Sequence, residues 1–179
     1  MICVFLADGF EDMEAIVTVD ILKRANYTVK TVGIGKTEIT SASGVKMHAD
    51  MKDDDLVIKD VCSVVLPGGM PGSVNLRRSS VVCEALTYCM ENKKLIAAIC
   101  AAPFILGELG FLKNKEATCY PGFESKLIGA KKSFKSVCVD DNIITAKGPG
   151  VAMDFAFKII EYISGKDLAM TIRKEMQCL

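Results

Sequence analysis

Cys100 is the residue of this chain best suited to nucleophilic chemistry, because of what flanks it. The run Ala98-Ile99-Cys100-Ala101-Ala102 sets small residues two positions before and after the thiol. That is the spacing of a nucleophile elbow, whose strained strand-to-helix turn leaves no room for larger side chains. A thiol at the start of a helix meets backbone N–H groups and the positive end of the helix dipole, which favour thiolate over thiol. Such a sulfur is nucleophilic and oxidisable. The same residues also describe a small buried cysteine in an alanine-rich core, and the pattern alone leaves both readings open.

Glu14 is the second candidate. On a helical wheel it falls between Ile21 and Ala25, inside an apolar stripe, where a carboxylate is rarely buried without a partner. Desolvation there raises its pKa, and a protonated carboxyl can hydrogen-bond a thiolate or an oxidised sulfur, or pass a proton in catalysis. The alternative is a head group that lifts past the helix end to solvent. Glu11 and Asp12 read more simply as first-turn acids that complement the dipole. Gly68-Gly69, followed by Pro71-Gly72, can turn backbone N–H groups toward a substrate oxygen as an oxyanion hole requires, or can be a plain strand-end turn.

Other chemistries fail on spacing. Gly33-Ile34-Gly35-Lys36-Thr37 looks like the end of a P-loop, but the first glycine of that motif falls on Lys30. There is no CxxC pair and His48 is the only histidine, so the usual zinc constellations cannot be built and a Cys-His dyad is hard to assemble. His48 lies in a hairpin pattern and reads as a surface or interface histidine.

These residues need elements to position them, and the sequence alternates apolar strand runs with helical patterns. Ile2 to Ala7 reads as a buried strand, with a helix from about Asp12 to Ala25 and a strand at Thr28 to Gly33. Glu38 to Ser41 and Val45 to His48 suggest a hairpin outside the main sheet. Val61 to Leu66 is the next strand, followed by one helix carrying Val82, Ala85, Leu86 and Cys89 on a face. Strand Leu95 to Ile99 leads into a helix from Ala101 to Leu109, then a strand near Ala117 to Cys119. Strands around Lys135 to Val139 and Ile143 to Ala146 flank the turn Asp140-Asp141-Asn142, and helices at Val151 to Ser164 and Leu168 to Lys174 close the chain. The order implies an α/β protein with a parallel sheet covered on both faces. In such sheets function gathers where strands end and helices begin, which singles out three corners: Ala7 to Glu14, Leu66 to Gly72 and Ala98 to Ala102.

Composition narrows the function classes. Half of the 179 residues are apolar, enough for a core and consistent with a single domain over 1–179. The 22 basic residues balance the 22 acidic ones and tryptophan is absent, so no broad basic field exists to hold nucleic acid or anionic lipid. The longest uncharged apolar run, Leu95 to Leu106, falls short of the roughly 20 residues of a membrane span. The first residues lack the basic flank of a signal peptide, so a cytoplasmic location and eight mostly reduced cysteines are expected.

Several of these motifs occur together in one known family. Asp8-Gly9-Phe10-Glu11-Asp12-Met13-Glu14, Val19-Asp20, Leu66-Pro67-Gly68-Gly69, Leu95-Ile96-Ala97-Ala98-Ile99-Cys100-Ala101 and Lys147-Gly148-Pro149-Gly150 resemble the ThiJ/PfpI superfamily, in the branch of the parkinsonism-associated protein deglycase. The resemblance covers nearly the whole chain. It implies a flavodoxin-like, class I glutamine amidotransferase-like three-layer sandwich, usually a homodimer, with Cys100 as the reactive thiol and Glu14 as its carboxyl partner. Backbone N–H groups of Gly69 and Ala101 would lie near the sulfur, beside the Gly68-Gly69 turn. The implied activities are cofactor-free glyoxalase or deglycase chemistry on methylglyoxal or its adducts, and, alternatively, peroxide sensing through a Cys100 sulfinate with chaperone activity. The partners implied are thus a small aldehyde or a peroxide, with no metal, nucleic acid or membrane. Two departures bear on mechanism. Relatives often carry histidine where Tyr120 stands, which removes a histidine-assisted hydrolysis but leaves a ring to orient substrate. The protease-like branch has histidine after the nucleophile, where this chain has Ala101, so no peptidase is expected.

Overall fold

A computed structural model describes residues 1–178. Its centre is a seven-stranded sheet built from β1 (Ile2–Leu6), β2 (Val29–Gly33), β5 (Met51–Lys52), β6 (Ser63–Leu66), β7 (Leu95–Ile99), β10 (Val137–Asp140) and β11 (Ile143–Ala146). The strand order is β10-β11-β7-β6-β1-β2-β5. Residues alternate faces along each strand: in β1, Ile2, Val4 and Leu6 enter one core and Cys3 and Phe5 the other. Both faces are therefore apolar, as a sheet covered on both sides demands.

The helices divide between the faces. α1 (Asp12–Arg24), α5 (Ala152–Ser164) and α6 (Lys166–Glu175) cover the first, contributing Ile21, Leu22, Phe155, Ile159 and Ile172. α2 (Gly72–Arg78), α3 (Ser80–Glu91) and α4 (Pro103–Glu108) cover the second with Leu76, Val82, Leu86, Phe104 and Ile105. The result is a flavodoxin-like three-layer sandwich. Among the described residues, no helix is long and apolar enough to cross a membrane.

Four details differ from the sequence reading. The sheet is mixed rather than wholly parallel, because β10 pairs antiparallel with β11 across the turn at Asp141, whose φ of 55° reverses the chain. The single helix expected after β6 is two: Ser79 sits in an extended conformation (φ −73°, ψ 122°) and its side chain caps α3 at Val82 N. The strand expected near Ala117 is only β8 (Glu116–Ala117), which pairs with β9 (Lys131–Lys132) outside the main sheet. β5 was not anticipated, being two residues long beside an acidic run. The hairpin forms as expected from β3 (Glu38–Thr40) and β4 (Lys46–His48), with His48 exposed opposite Glu38.

Candidate active site

The three strand-to-helix corners meet at one place. The β1–α1 corner is locked by Gly9 N donating to Thr40 O (2.8 Å), Thr40 N donating to Asp8 Oδ1 (2.9 Å) and Ala42 N donating to Phe10 O (2.8 Å). The small hairpin is thus the buttress that holds the start of α1. Glu11 caps that helix, accepting from Glu14 N at 2.8 Å. The second corner joins it through Glu11 N donating to Gly68 O (3.0 Å) and Gly72 N donating to Gly9 O (3.2 Å).

Cys100 terminates β7 in the left-handed region, with φ of 65°. For a residue with a β-carbon this conformation costs about 1–2 kcal/mol. It is held from two sides: Cys100 N donates to Ala146 O at 2.9 Å and Tyr120 N donates to Cys100 O at 2.8 Å. The helix that follows starts only at Pro103 and has six residues, shorter at both ends than expected, so the dipole that reaches the thiol is small. What lowers the thiol pKa instead are the backbone N–H groups of Gly69 and Ala101.

Glu14 takes the buried option, with 0% of its surface exposed. Gly68 N donates to its Oε2 at 2.7 Å, while its Oε1 is buried without a hydrogen-bond partner. Gly68 cannot carry a side chain, because a β-carbon there would stand 2.5 Å from Cys100 Cβ and 2.7 Å from Glu14 Oε2. The carboxyl and the thiol therefore pack across a bare backbone. The Gly68 amide, expected among the oxyanion donors, is spent on Glu14, which leaves Gly69 and Ala101 at the sulfur.

The electrostatics reverse one sequence expectation. Burial pushes the Cys100 thiol up to about 12, the nearby Glu14 charge and hydrogen bond push the same way, and the Gly69 and Ala101 amides pull it down. Glu14 is pushed up to about 7 by burial, against the lowering effects of the Gly68 amide and its bond to Cys100. The two shifts belong to one titrating pair. Two anions cannot share this buried space, so the pair passes from two protons to one shared proton as pH rises through about 7, and loses the second only far above neutrality.

Tyr120, which the resemblance left open, is brought to the thiol: its ring and Cys100 Sγ both face Gly148. His48, on the exposed strand of the hairpin, is not among the groups that contact Cys100. The remaining cysteines are free thiols, and burial raises those of Cys3, Cys89, Cys119 and Cys138. A fourth corner, Lys147 to Val151 between β11 and α5, also reaches the site. Its sequence signal was Gly148-Pro149-Gly150 at a strand end, the same punctuation as Pro67-Gly68-Gly69.

Comparison with known proteins places the chain in one family. A model of the DJ-1/PfpI family matches residues 1–162. The chain is 37% identical over 174 residues to Protein dj-1beta of Drosophila melanogaster, covering 96% of this chain and 93% of that one. It is 33% identical over 171 residues to the Caenorhabditis elegans protein named Glutathione-independent glyoxalase DJR-1.2, covering 94% and 90%. It spans about 40% of the longer Arabidopsis thaliana Protein DJ-1 homolog B, at 36% identity over 175 residues. The solved structure of oxidised Toxoplasma gondii DJ-1 superposes with a TM-score of 0.94 at 31% identity, covering 98% of this chain and 97% of that one.

Proposed function

Since this chain belongs to the DJ-1/PfpI family, we propose that it is a cofactor-free, cysteine-dependent glyoxalase or deglycase acting on methylglyoxal or its adducts. The observation that carries this reading is the buried Glu14 carboxyl, one oxygen unpartnered, packed against the Cys100 thiol at a left-handed elbow. The relative named as a glutathione-independent glyoxalase supports it.

The reaction follows from the shared proton. In the form with the charge on sulfur, Cys100 Sγ adds to the aldehyde carbon, and the aldehyde oxygen comes within reach of the Gly69 and Ala101 amides. Protonated Glu14 delivers its proton to that oxygen, giving a hemithioacetal. The Glu14 carboxylate then removes the remaining C–H proton and returns it to the neighbouring carbon, a second proton passing between the two oxygens. The product is a 2-hydroxyacyl thioester on Cys100. Water cleaves it, its OH joining the acyl carbon and its proton returning to the pair, so that oxoaldehyde plus water gives 2-hydroxy acid. Methylglyoxal consumption should vanish in Cys100→Ser with the fold intact by circular dichroism, and unchanged turnover there would sink the reading.

A second reading is favoured by the same unpartnered oxygen. Cys100 thiolate attacks one peroxide oxygen and releases hydroxide to give the sulfenic acid, and a second peroxide gives the sulfinic acid. Protonated Glu14 would donate through its free oxygen to the sulfinate. The oxidised relative supports this route. Stoichiometric peroxide should add two oxygens at Cys100 alone, whereas oxidation spread over several cysteines counts against it.

The homodimer implied by the resemblance finds support on α1, where Met13 and Ile16 stand 53% and 44% exposed at i and i+3. A second copy covering this ridge makes Ile16→Asp monomeric in sedimentation. A dimer that persists in that variant places the contact elsewhere.

A further inference from the structure

Beside the Cys100 site is an open cleft of 290 Å³ lined by Tyr120, Pro121, Gly148, Pro149 and Val151. Lys147 also borders it, but the wall is almost entirely apolar, so this residue contributes its methylene stem rather than its charge. A small, hydrated aldehyde with a single methyl group has little to gain from such a surface.

Gly148 joins the cleft to the thiol. A β-carbon on Gly148 would stand 3.1 Å from Tyr120 Cδ2 and 4.0 Å from Cys100 Sγ. Gly148 is thus a bare floor between ring and sulfur, and any side chain there would fill the space. The Tyr120 backbone is tied to the nucleophile through Tyr120 N donating to Cys100 O, while the residue remains 46% exposed. An exposed ring held in register with a reacting atom is a wall awaiting an apolar neighbour, and aromatic groups stack well on such a face. Once the aldehyde carbon is bonded to Sγ, the substituent of the adjacent ketone lies two bonds away, within reach of this wall.

We propose that the site prefers 2-oxoaldehydes whose ketone carries an aromatic or bulky apolar substituent, of which phenylglyoxal is the test case, with Tyr120 as the specificity-determining wall. The turnover part of this inference rests on the glyoxalase reading, and the binding preference does not. The reaction is unchanged: phenylglyoxal plus water gives the 2-hydroxy acid mandelate.

Two measurements separate these parts. The first is the kcat/KM ratio for phenylglyoxal over methylglyoxal in wild type, Tyr120→Ala and Tyr120→Phe. Apolar pockets discriminate by about 10- to 200-fold, so the ratio should fall roughly tenfold in Tyr120→Ala and hold within about twofold in Tyr120→Phe. The second needs no turnover: Cys100 labelling by N-phenylmaleimide against N-ethylmaleimide, with the exposed Cys62 as reference in the same molecule. Cys100 should favour the phenyl reagent relative to Cys62, and Tyr120→Ala should erase the difference. Equal selectivity at Cys100 and Cys62, or ratios unmoved by Tyr120→Ala, overturns the proposal. No turnover of either aldehyde with the maleimide preference intact supports the apolar cleft and overturns the glyoxalase reading instead.

Discussion

At the scale of single residues, the chemistry rests on one proton shared by Cys100 and Glu14. Each group alone would be an ordinary buried acid pushed toward its neutral form by desolvation. Together they hold at most one charge near neutrality, which rests mainly on Glu14; the Gly69 and Ala101 amides lower the thiol pKa, so a thiolate forms when the proton passes from sulfur to the carboxylate. Replacing Glu14 by Leu removes both the carboxyl donor and the alternative proton site, leaving a thiol in an apolar pocket. We expect that variant to lose the rise in Cys100 alkylation near pH 7, because burial, the largest cause of the upward shift, still holds the lone thiol above its ordinary range. Rates measured by peptide mass spectrometry check this, with the other cysteines as controls. A rate equal to wild type would mean that Glu14 does not tune the thiol.

At the scale of elements, the site depends on turns that bring backbones closer than side chains allow. Gly68→Ala forces a methyl group into Cys100 Cβ and Glu14 Oε2, and overpacking of this kind costs about 1–3 kcal/mol. Urea unfolding should show that loss together with reduced turnover, and a wild-type stability would contradict the close approach. The elbow makes a separate prediction. Cys100→Ala keeps a β-carbon at φ of 65° and Cys100→Gly does not, so the glycine variant should be more stable than the alanine one by about 1 kcal/mol. Part of this was legible beforehand: Ala98 to Ala102 offered the elbow beside a plain core cysteine, and the wheel position of Glu14 offered a buried carboxyl beside one lifted to solvent. What stayed hidden depends on distances between elements. Sequence could not reveal that the Gly68 amide would be spent on Glu14, nor that burial would outweigh a six-residue helix dipole at Cys100. The break at Ser79 and the two-residue β5 escaped for a different reason, since periods of 3.6 and 2 cannot be read in so few residues.

At the scale of the whole molecule, a buried acid makes stability depend on pH. The carboxyl of Glu14 titrates near 7 in the folded protein and near 4.3 in an unfolded chain. Between those values the folded state binds more protons, so the contribution of this group is fully present below about pH 4 and is lost as pH rises through 7. The loss amounts to about 4 kcal/mol. Glu14→Gln has the same shape and no charge, so it should be more stable than wild type at pH 8 by up to about that amount, and within about 1 kcal/mol of it at pH 4. Urea midpoints at the two pH values test this, and a difference independent of pH would contradict it. Because the 22 basic and 22 acidic residues cancel, long-range steering adds little for neutral aldehydes. Turnover of methylglyoxal should change less than about twofold between low and high salt, and a steep salt dependence in stopped-flow or steady-state rates would reveal a charged step at the entrance.

The central claim is that Cys100 and Glu14 act as one acid that releases its first proton near neutrality, and the most direct test is the pH profile of Cys100 alkylation in wild type and Glu14→Leu. The account predicts a wild-type rise with a midpoint near 7, below the roughly 8.5 of an unperturbed thiol, and its displacement above that reference in the variant. A single midpoint at or above the reference, unchanged by the substitution, would contradict the shared proton and leave Cys100 an ordinary buried thiol.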